Sequence, residues 1–210
     1  VTQVVTQTET RAPTVYLVDD DNDVRTALTR SLSKRGFHVL SFASADAFLQ
    51  EVEPGVDGCL ILDYGMPKMD GLELQAHLNA TGCDLPVIFI TGHGGIPESV
   101  RATKAGALDF LEKPFSLPIL LERIETALEI STQRSKAKEK EAEIANRLAT
   151  LTKREHEVFA FILANPSLTS SKEIAQNLGI SPRTVDIHRG RVLKKLVVKT
   201  MVELIDVYAV

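Results

Sequence analysis

A chain of 210 residues, 44% hydrophobic and 25% charged, with 12 Gly and 9 Pro, has the composition of an ordinary globular protein of one large or two small domains. Its longest apolar run, Leu85 to Ile90, is broken by Pro86 and falls far short of the ~20 residues that a membrane helix needs, so no membrane partner is expected. The net charge of −4 hides an asymmetry: residues 1–130 carry 10 Lys and Arg against 19 Asp and Glu, whereas residues 131–210 carry 14 against 9. An acidic half joined to a basic half implies two domains, the second facing a polyanion.

Residues 1–13 (VTQVVTQTETRAP) scatter three Val and one Ala among polar groups, which is a disordered lead-in and not a secretory signal. The expected location is cytoplasmic. From 14 to 130 short apolar runs alternate with amphipathic stretches: TVYLV (14–18), FHVL (37–40), CLIL (59–62), PVIFI (86–90) and ALDF (107–110) are predicted strands buried on both faces. Helical patterns lie between and after them, at about 22–35, 44–52, 70–79, 95–105 and 116–130. Strict alternation predicts an α/β fold, a doubly wound five-stranded parallel sheet with helices on both faces. Cys59 and Cys83 stand in no C-x-x-C motif, and the five His are never at ligand spacing, so neither a disulfide framework nor an imidazole metal site is expected.

In such a sheet ligands bind beyond the carboxyl ends of the strands. The residues at those ends are Asp19, Asp20 and Asp21 after the first run, Asp63 after the third, Thr91 after the fourth and Lys113 after the fifth. Asp19, Asp20 and Asp63 at one mouth would repel one another unless a divalent cation were present, and oxygen ligands of this kind suit Mg²⁺. With Mg²⁺ and Lys113 the local charge is neutral and can accept a phosphoryl group.

The stretches YLVDDD, CLILDYGMPKMDG, VIFITGHG and AGALDFLEKPF, at the ends of four strands, resemble the receiver domain of two-component response regulators. The resemblance implies strand order 2-1-3-4-5 and makes Asp63 the phospho-acceptor, with Asp20 and the Gly65 carbonyl holding Mg²⁺ and Asp19 supporting the metal from behind. It also implies Thr91 and Lys113 on the phosphoryl oxygens, Phe110 as the aromatic that moves with Thr91, and usually a cis Lys113–Pro114 bond. Family members often have Tyr at position 110, whereas Phe has no hydroxyl to expose. An enzyme reading, a Mg-dependent phosphohydrolase, would require D-x-D at the nucleophile; here Asp63-Tyr64-Gly65 lacks the second acid, so steady turnover of phosphate esters is not expected.

Residues 131–147 (STQRSKAKEKEAEIANR) hold one Ile in seventeen positions and no a/d heptads, and read as a linker, helical by propensity and solvated all round. The basic half shows helical patterns at about 152–163, 170–178, 182–196 and 200–209. Gly179 can take a left-handed turn, and Ser181-Pro182 is a cap followed by a favoured first helical residue, which gives helix-turn-helix spacing. On a helical wheel Val185, Val192 and Leu196 form an inward stripe, while Arg183, Ile187, Gly190, Lys194 and, at the edge, Arg191 lie opposite. Six Lys and Arg against one Asp between Ser181 and Lys199 suit a helix that enters the DNA major groove.

LTKREHEVFAFILAN, SKEIAQNLGISPRTVDIHR and KKLVVKTMVELI resemble the LuxR/FixJ-type helix-turn-helix, over residues 148–210. The resemblance implies Glu155 as a structural acid and the 182–196 helix as the reader, with candidate DNA contacts at Arg183, Thr184, Ile187, Arg189, Arg191, Lys194 and Lys195. Arg189 lies nearer the inward stripe and is expected between helices or at a phosphate on their edge. Asp186, where relatives often have Lys, accepts from a cytosine or points away; Gly190 either admits a close backbone approach to DNA or is neutral. The whole chain thus resembles a FixJ/NarL-type regulator, with a sensor histidine kinase, Mg²⁺, operator double-stranded DNA and a phosphorylation-dependent homodimer as its implied partners. A receiver controlling an RNA-binding output is the alternative.

Overall fold

The computed structural model describes residues 14–53, 55–92, 96–168 and 170–209, so the N-terminal lead-in at 1–13 lies outside the described residues. The boundary between two compact units falls between Lys136 and Ala137. The first contains β1 (Thr14–Val18), α1 (Asn22–Ser33), β2 (His38–Phe42), α2 (Ala45–Glu51), β3 (Cys59–Asp63), α3 (Gly71–Ala80), β4 (Val87–Thr91), α4 (Ile96–Lys104), β5 (Asp109–Glu112) and the first part of α5 (Leu117–Ala149). All four strand pairings are parallel and the order is β2-β1-β3-β4-β5.

The two-residue period of a strand sorts its side chains into two cores. Tyr16, Val18, Leu60, Leu62 and Phe89 face Phe48 of α2 and Leu74 of α3, whereas Val15, Leu17, Ile61, Ile88 and Ile90 face Leu28 and Leu32 of α1 and Leu120 and Ile124 of α5. The three central strands β1, β3 and β4 are buried almost throughout. β2 departs from the expected double burial: it is an edge strand, and Leu40 is 37% exposed. β5 begins two residues later than ALDF predicts, because the Ala107 N–H still donates to the Ala102 carbonyl and Gly106, at φ +92°, is still turning the chain out of α4. Cys59 and Cys83 are free and buried, and burial pushes the Cys59 thiol up to about 12.

The stretches 116–130 and 131–147 form one helix, α5, with no break between them. Nothing in the sequence stops it: after Pro118 the helix contains no Pro or Gly, and Ala, Glu and Lys carry it forward. Nor is 131–147 solvated all round. Ser131 is buried and accepts from the Gly58 N–H at 2.9 Å, Arg134 donates to the Asp84 carbonyl at 2.8 Å, and further on Ile144 and Leu148 pack on the core of the second unit.

That second unit adds α6 (Lys153–Ala164), α7 (Ser171–Leu178), α8 (Pro182–Leu196) and α9 (Met201–Tyr208). Thr152 and Ser170 close capping boxes with Glu155 and Glu173, Ser181 caps α8 with Pro182 behind it, and Gly179 at φ +64° ends α7. Val158, Ile162, Ile174, Val185, Val192, Leu196 and Leu204 are wholly buried together. No described helix is long and apolar enough to cross a membrane.

Candidate functional site

Sheet register brings the first candidate site together. The Asp19 N–H donates to the Phe42 carbonyl, the Tyr64 N–H to the Ile90 carbonyl and the Lys113 N–H to the Thr91 carbonyl, so the chain leaves β1, β3 and β5 still tied to its neighbours. Asp19, Asp63 and Thr91 are buried at this mouth. Lys113 Nζ donates to Asp19 Oδ2 at 2.7 Å and to Asp63 Oδ1 at 2.6 Å, so one ammonium joins carboxylates 44 positions apart in sequence. Their outer oxygens are held by backbone: Asp19 Oδ1 accepts from the Asp21 N–H and Asp63 Oδ2 from the Gly65 N–H, each at 2.8 Å. The Lys113–Pro114 bond is cis.

Burial raises the Asp19 carboxyl above its usual range, only partly offset by Lys113 and the Asp21 amide. Burial by itself would lower Lys113, but its hydrogen bonds to Asp19 and Asp63 outweigh that and hold the ammonium above the usual lysine range. Two of the three expected carboxylates converge. Asp20 is exposed, and among the described residues no three His, Cys, Asp or Glu side chains form a group that could hold a metal. Lys113 neutralises only one of the pair, and a third carboxylate would be repelled by the remaining charge. The donor chemistry still suits Mg²⁺: carboxylate and carbonyl oxygens only, with negative charge in excess over the ammonium.

Two residues that sequence reasoning did not single out complete the mouth. Gly71 opens α3 where an added Cβ would come within 2.5 Å of the Asp63 carbonyl oxygen and 2.7 Å of the Phe89 ring, so only glycine fits. Its sequence signal was its place in PKMDG, just after the Asp70 cap. Tyr64, next to Asp63, packs edge-on against Phe89 and Phe110, with ring centroids 5.9 and 6.0 Å apart, so Phe110 belongs to an aromatic cluster that begins beside Asp63. Position 65, where a phosphohydrolase would need an acid, supplies a backbone N–H to Asp63.

The second candidate site is the outer face of α8. Arg183, Ile187, Arg191 and Lys194 are exposed and the stripe of Val185, Val192 and Leu196 is buried, as the helical wheel requires. Thr184 is half-buried, its hydroxyl 2.7 Å from Ser181 Oγ. Arg189 is also half-buried and donates to Ser171 Oγ of α7 at 3.0 Å; Ser171 in turn donates to Asp186, which fixes Asp186 toward α7. Lys195 turns away from the face: its ammonium donates to Glu155 at 2.6 Å and to the Thr150 carbonyl at 2.8 Å. It thereby leaves the set of outward cations, because the buried Glu155 carboxylate attracts it more strongly than solvent does. His188 is half-buried with its Nδ1 enclosed.

Residues 15–125 match the response regulator receiver domain model, and residues 149–208 match that of bacterial regulatory proteins of the luxR family. The chain is a two-component response regulator of the FixJ type. It is 40% identical over 197 residues to the response regulator protein TodT of Pseudomonas putida, covering 94% of this chain and 86% of TodT. It is 40% identical over 192 residues to the transcriptional regulatory protein FixJ of Rhizobium meliloti, covering 91% and 93%. Among solved structures, response regulator StyR superposes with a TM-score of 0.87 at 41% identity, over 94% of this chain and 98% of StyR. As a response regulator the chain is a transcription regulator and not a classical enzyme; its receiver implies a histidine kinase partner and characteristic use of Mg²⁺, and its helix-turn-helix implies DNA.

Proposed function

We propose that Asp63 accepts a phosphoryl group from the phosphohistidine of a sensor kinase, and that the phosphorylated chain forms a homodimer that binds operator DNA. The observation that carries this reading is the single Lys113 ammonium shared by Asp19 and Asp63 at the carboxyl end of the sheet, with Thr91 buried beside them. A carboxylate oxygen of Asp63 attacks phosphorus, the P–N bond breaks, and the imidazole leaves with the electron pair. Lys113, already above its usual pKa, stays charged and moves its hydrogen bond from Asp63 to a phosphoryl oxygen, while the Thr91 hydroxyl binds another. Asp20, Asp63 and the Gly65 carbonyl would hold Mg²⁺, with Asp19 behind them, and the ion would supply the charge that lets an anion approach these carboxylates.

One phosphoryl group changes the local charge by about one unit, too little to act over tens of ångströms across a ~10 Å Debye length. The signal therefore passes through packing: Thr91 moves toward phosphate, Phe110 follows with Tyr64 and Phe89 around it, and the α4–β5–α5 surface pairs with its copy. Two reading helices then engage half-sites about 10 to 10.5 base pairs apart, through Arg183, Thr184, Ile187, Arg191 and Lys194, with Arg189 reaching a phosphate at the edge. A cytoplasmic location is part of the same proposal. With Mg²⁺ and a small acyl phosphate, the chain should gain one acid-stable, hydroxylamine-labile phosphate, sediment as a dimer and bind a selected duplex at least tenfold more tightly. Asp63→Asn should do none of these. Undiminished labelling of that variant, or an unphosphorylated dimer that binds equally tightly, overturns the reading.

A further inference from the structure

The carbonyl end of α8 is closed from outside the helix. A helix leaves its last carbonyls without internal donors, and that of Leu196 takes two here: Arg147 Nη1 at 3.3 Å and the Tyr208 hydroxyl at 3.2 Å. The chain turns immediately afterwards on Val197, whose φ of +57° is one that β-branched residues rarely adopt. Val197 is 65% exposed, so packing of its side chain does not hold that conformation. The Val197 N–H on the Leu193 and Lys194 carbonyls, the Val198 N–H on the Leu193 carbonyl at 3.0 Å and the buried Val198 side chain hold it from the helix side, and the two donors on Leu196 hold it from outside the helix. Arg147 is itself placed by Glu143, one turn earlier on α5, which accepts from Nη2 at 2.5 Å. Its neighbours Ile144 and Leu148 pack on the core that includes Leu196.

We propose that Arg147 is a positioning residue for the reading helix: its guanidinium, set by Glu143, fixes the last turn of α8, so the DNA-binding unit begins inside α5 and not at α6. A cation there also complements the negative end of the helix dipole, which the neutral Tyr208 hydroxyl does not. The inference rests on the reading of α8 as the DNA-contacting helix, and it assigns Arg147 no contact with DNA.

The test uses the full chain, phosphorylated, with Arg147→Met and Arg147→Lys beside it. Each is titrated at several salt concentrations with a duplex that the unaltered chain selects from a randomised pool, and amide exchange is followed at Val198. Arg147→Met should bind about tenfold more weakly, about 1.4 kcal/mol, with an unchanged salt slope, a normal yield of phosphorylation and faster exchange at Val198. Arg147→Lys, which keeps the charge and one donor, should recover most of the affinity. A salt slope shallower by about one unit would show a phosphate contact instead and overturn the proposal. Unchanged exchange at Val198 overturns it whether or not DNA binds. A chain that selects no duplex sinks the DNA reading separately, and exchange at Val198 then decides the brace by itself.

Discussion

Lys113 and Lys195 each bring an ammonium to 2.6 Å from a buried carboxylate, and the two sites put that contact to opposite uses. Lys113 is divided between Asp19 and Asp63, so negative charge remains and Asp19 is pushed upward by its burial. Lys195 serves one carboxylate, Glu155, besides the neutral Thr150 carbonyl, and Glu155 also accepts from the Thr152 N–H at 2.9 Å. Lys195 first, then the Thr152 amide, hold Glu155 down at about 2. A cation shared between two anions leaves negative charge uncompensated; a carboxylate with a cation to itself is a fastening. Neither contact distance nor the count of donors distinguishes these cases, since each carboxylate takes one ammonium and one backbone amide; the number of carboxylates per ammonium does.

The sharpest way to break that contrast is to remove each ammonium. Lys113→Met should reduce incorporation of phosphate from an acyl phosphate about 100-fold, the scale of losing one strong charge-stabilising donor. Lys195→Met should leave incorporation unchanged; equal losses in the two variants would show that the sites do not differ in kind. Stability supplies the converse test. Stranding Glu155 in Lys195→Met should cost the helical unit about 3 kcal/mol, read by urea unfolding with exchange probes in α6 and α8, while the sheet keeps its protection.

Acid should separate the sites further. Glu155 is depressed in the folded state, so its contribution is complete above its unfolded value of 4.5 and drains away as pH falls toward about 2. Asp19 is raised above 3.8, so its ionisation opposes folding, and acidification through that window relieves the receiver. Exchange measured from pH 5 down to pH 2.5 should therefore loosen α6 and α8 before β1 and β3, and the reverse order would contradict the comparison. The smallest effect concerns Gly190, where an added Cβ meets nothing within 4 Å. Gly190→Ala should stabilise the helical unit by about 1 kcal/mol; if operator affinity falls nonetheless, the glycine serves a close approach to DNA, and if it holds, the glycine is neutral.

The residues at the strand ends were legible because a parallel sheet fixes where its carboxyl ends lie, so Asp19, Asp63, Thr91 and Lys113 could be grouped without coordinates. The direction of a long side chain was not. Lys195 lies between outward and inward positions on the wheel, and only the buried Glu155, 40 residues earlier, decides which way it turns. The extent of α5 was hidden for a different reason. A polar stretch gives no periodic signal, yet Ser131 hydrogen-bonds across to Gly58, 73 positions away, and short apolar contacts from Ile144 and Leu148 secure the far end. Apolar patterning did not separate edge from centre, since the sequence of β2 carries apolar residues whether or not a neighbour covers them; the order that puts β2 at the edge came from the family resemblance.

The aromatic cluster beside Asp63 has an optical consequence. The chain contains no tryptophan and three tyrosines, so tyrosine emission is not lost to indole. Tyr16 and Tyr208 are buried in separate cores, Tyr16 edge-on to Phe48 and Tyr208 edge-on to Phe159. Of the three, Tyr64 adjoins Asp63, the proposed phospho-acceptor, and touches both Phe89 and Phe110. The protein thus carries an intrinsic chromophore between its proposed acceptor and its proposed switch residue, and on that reading ultraviolet light can follow the receiver without a label.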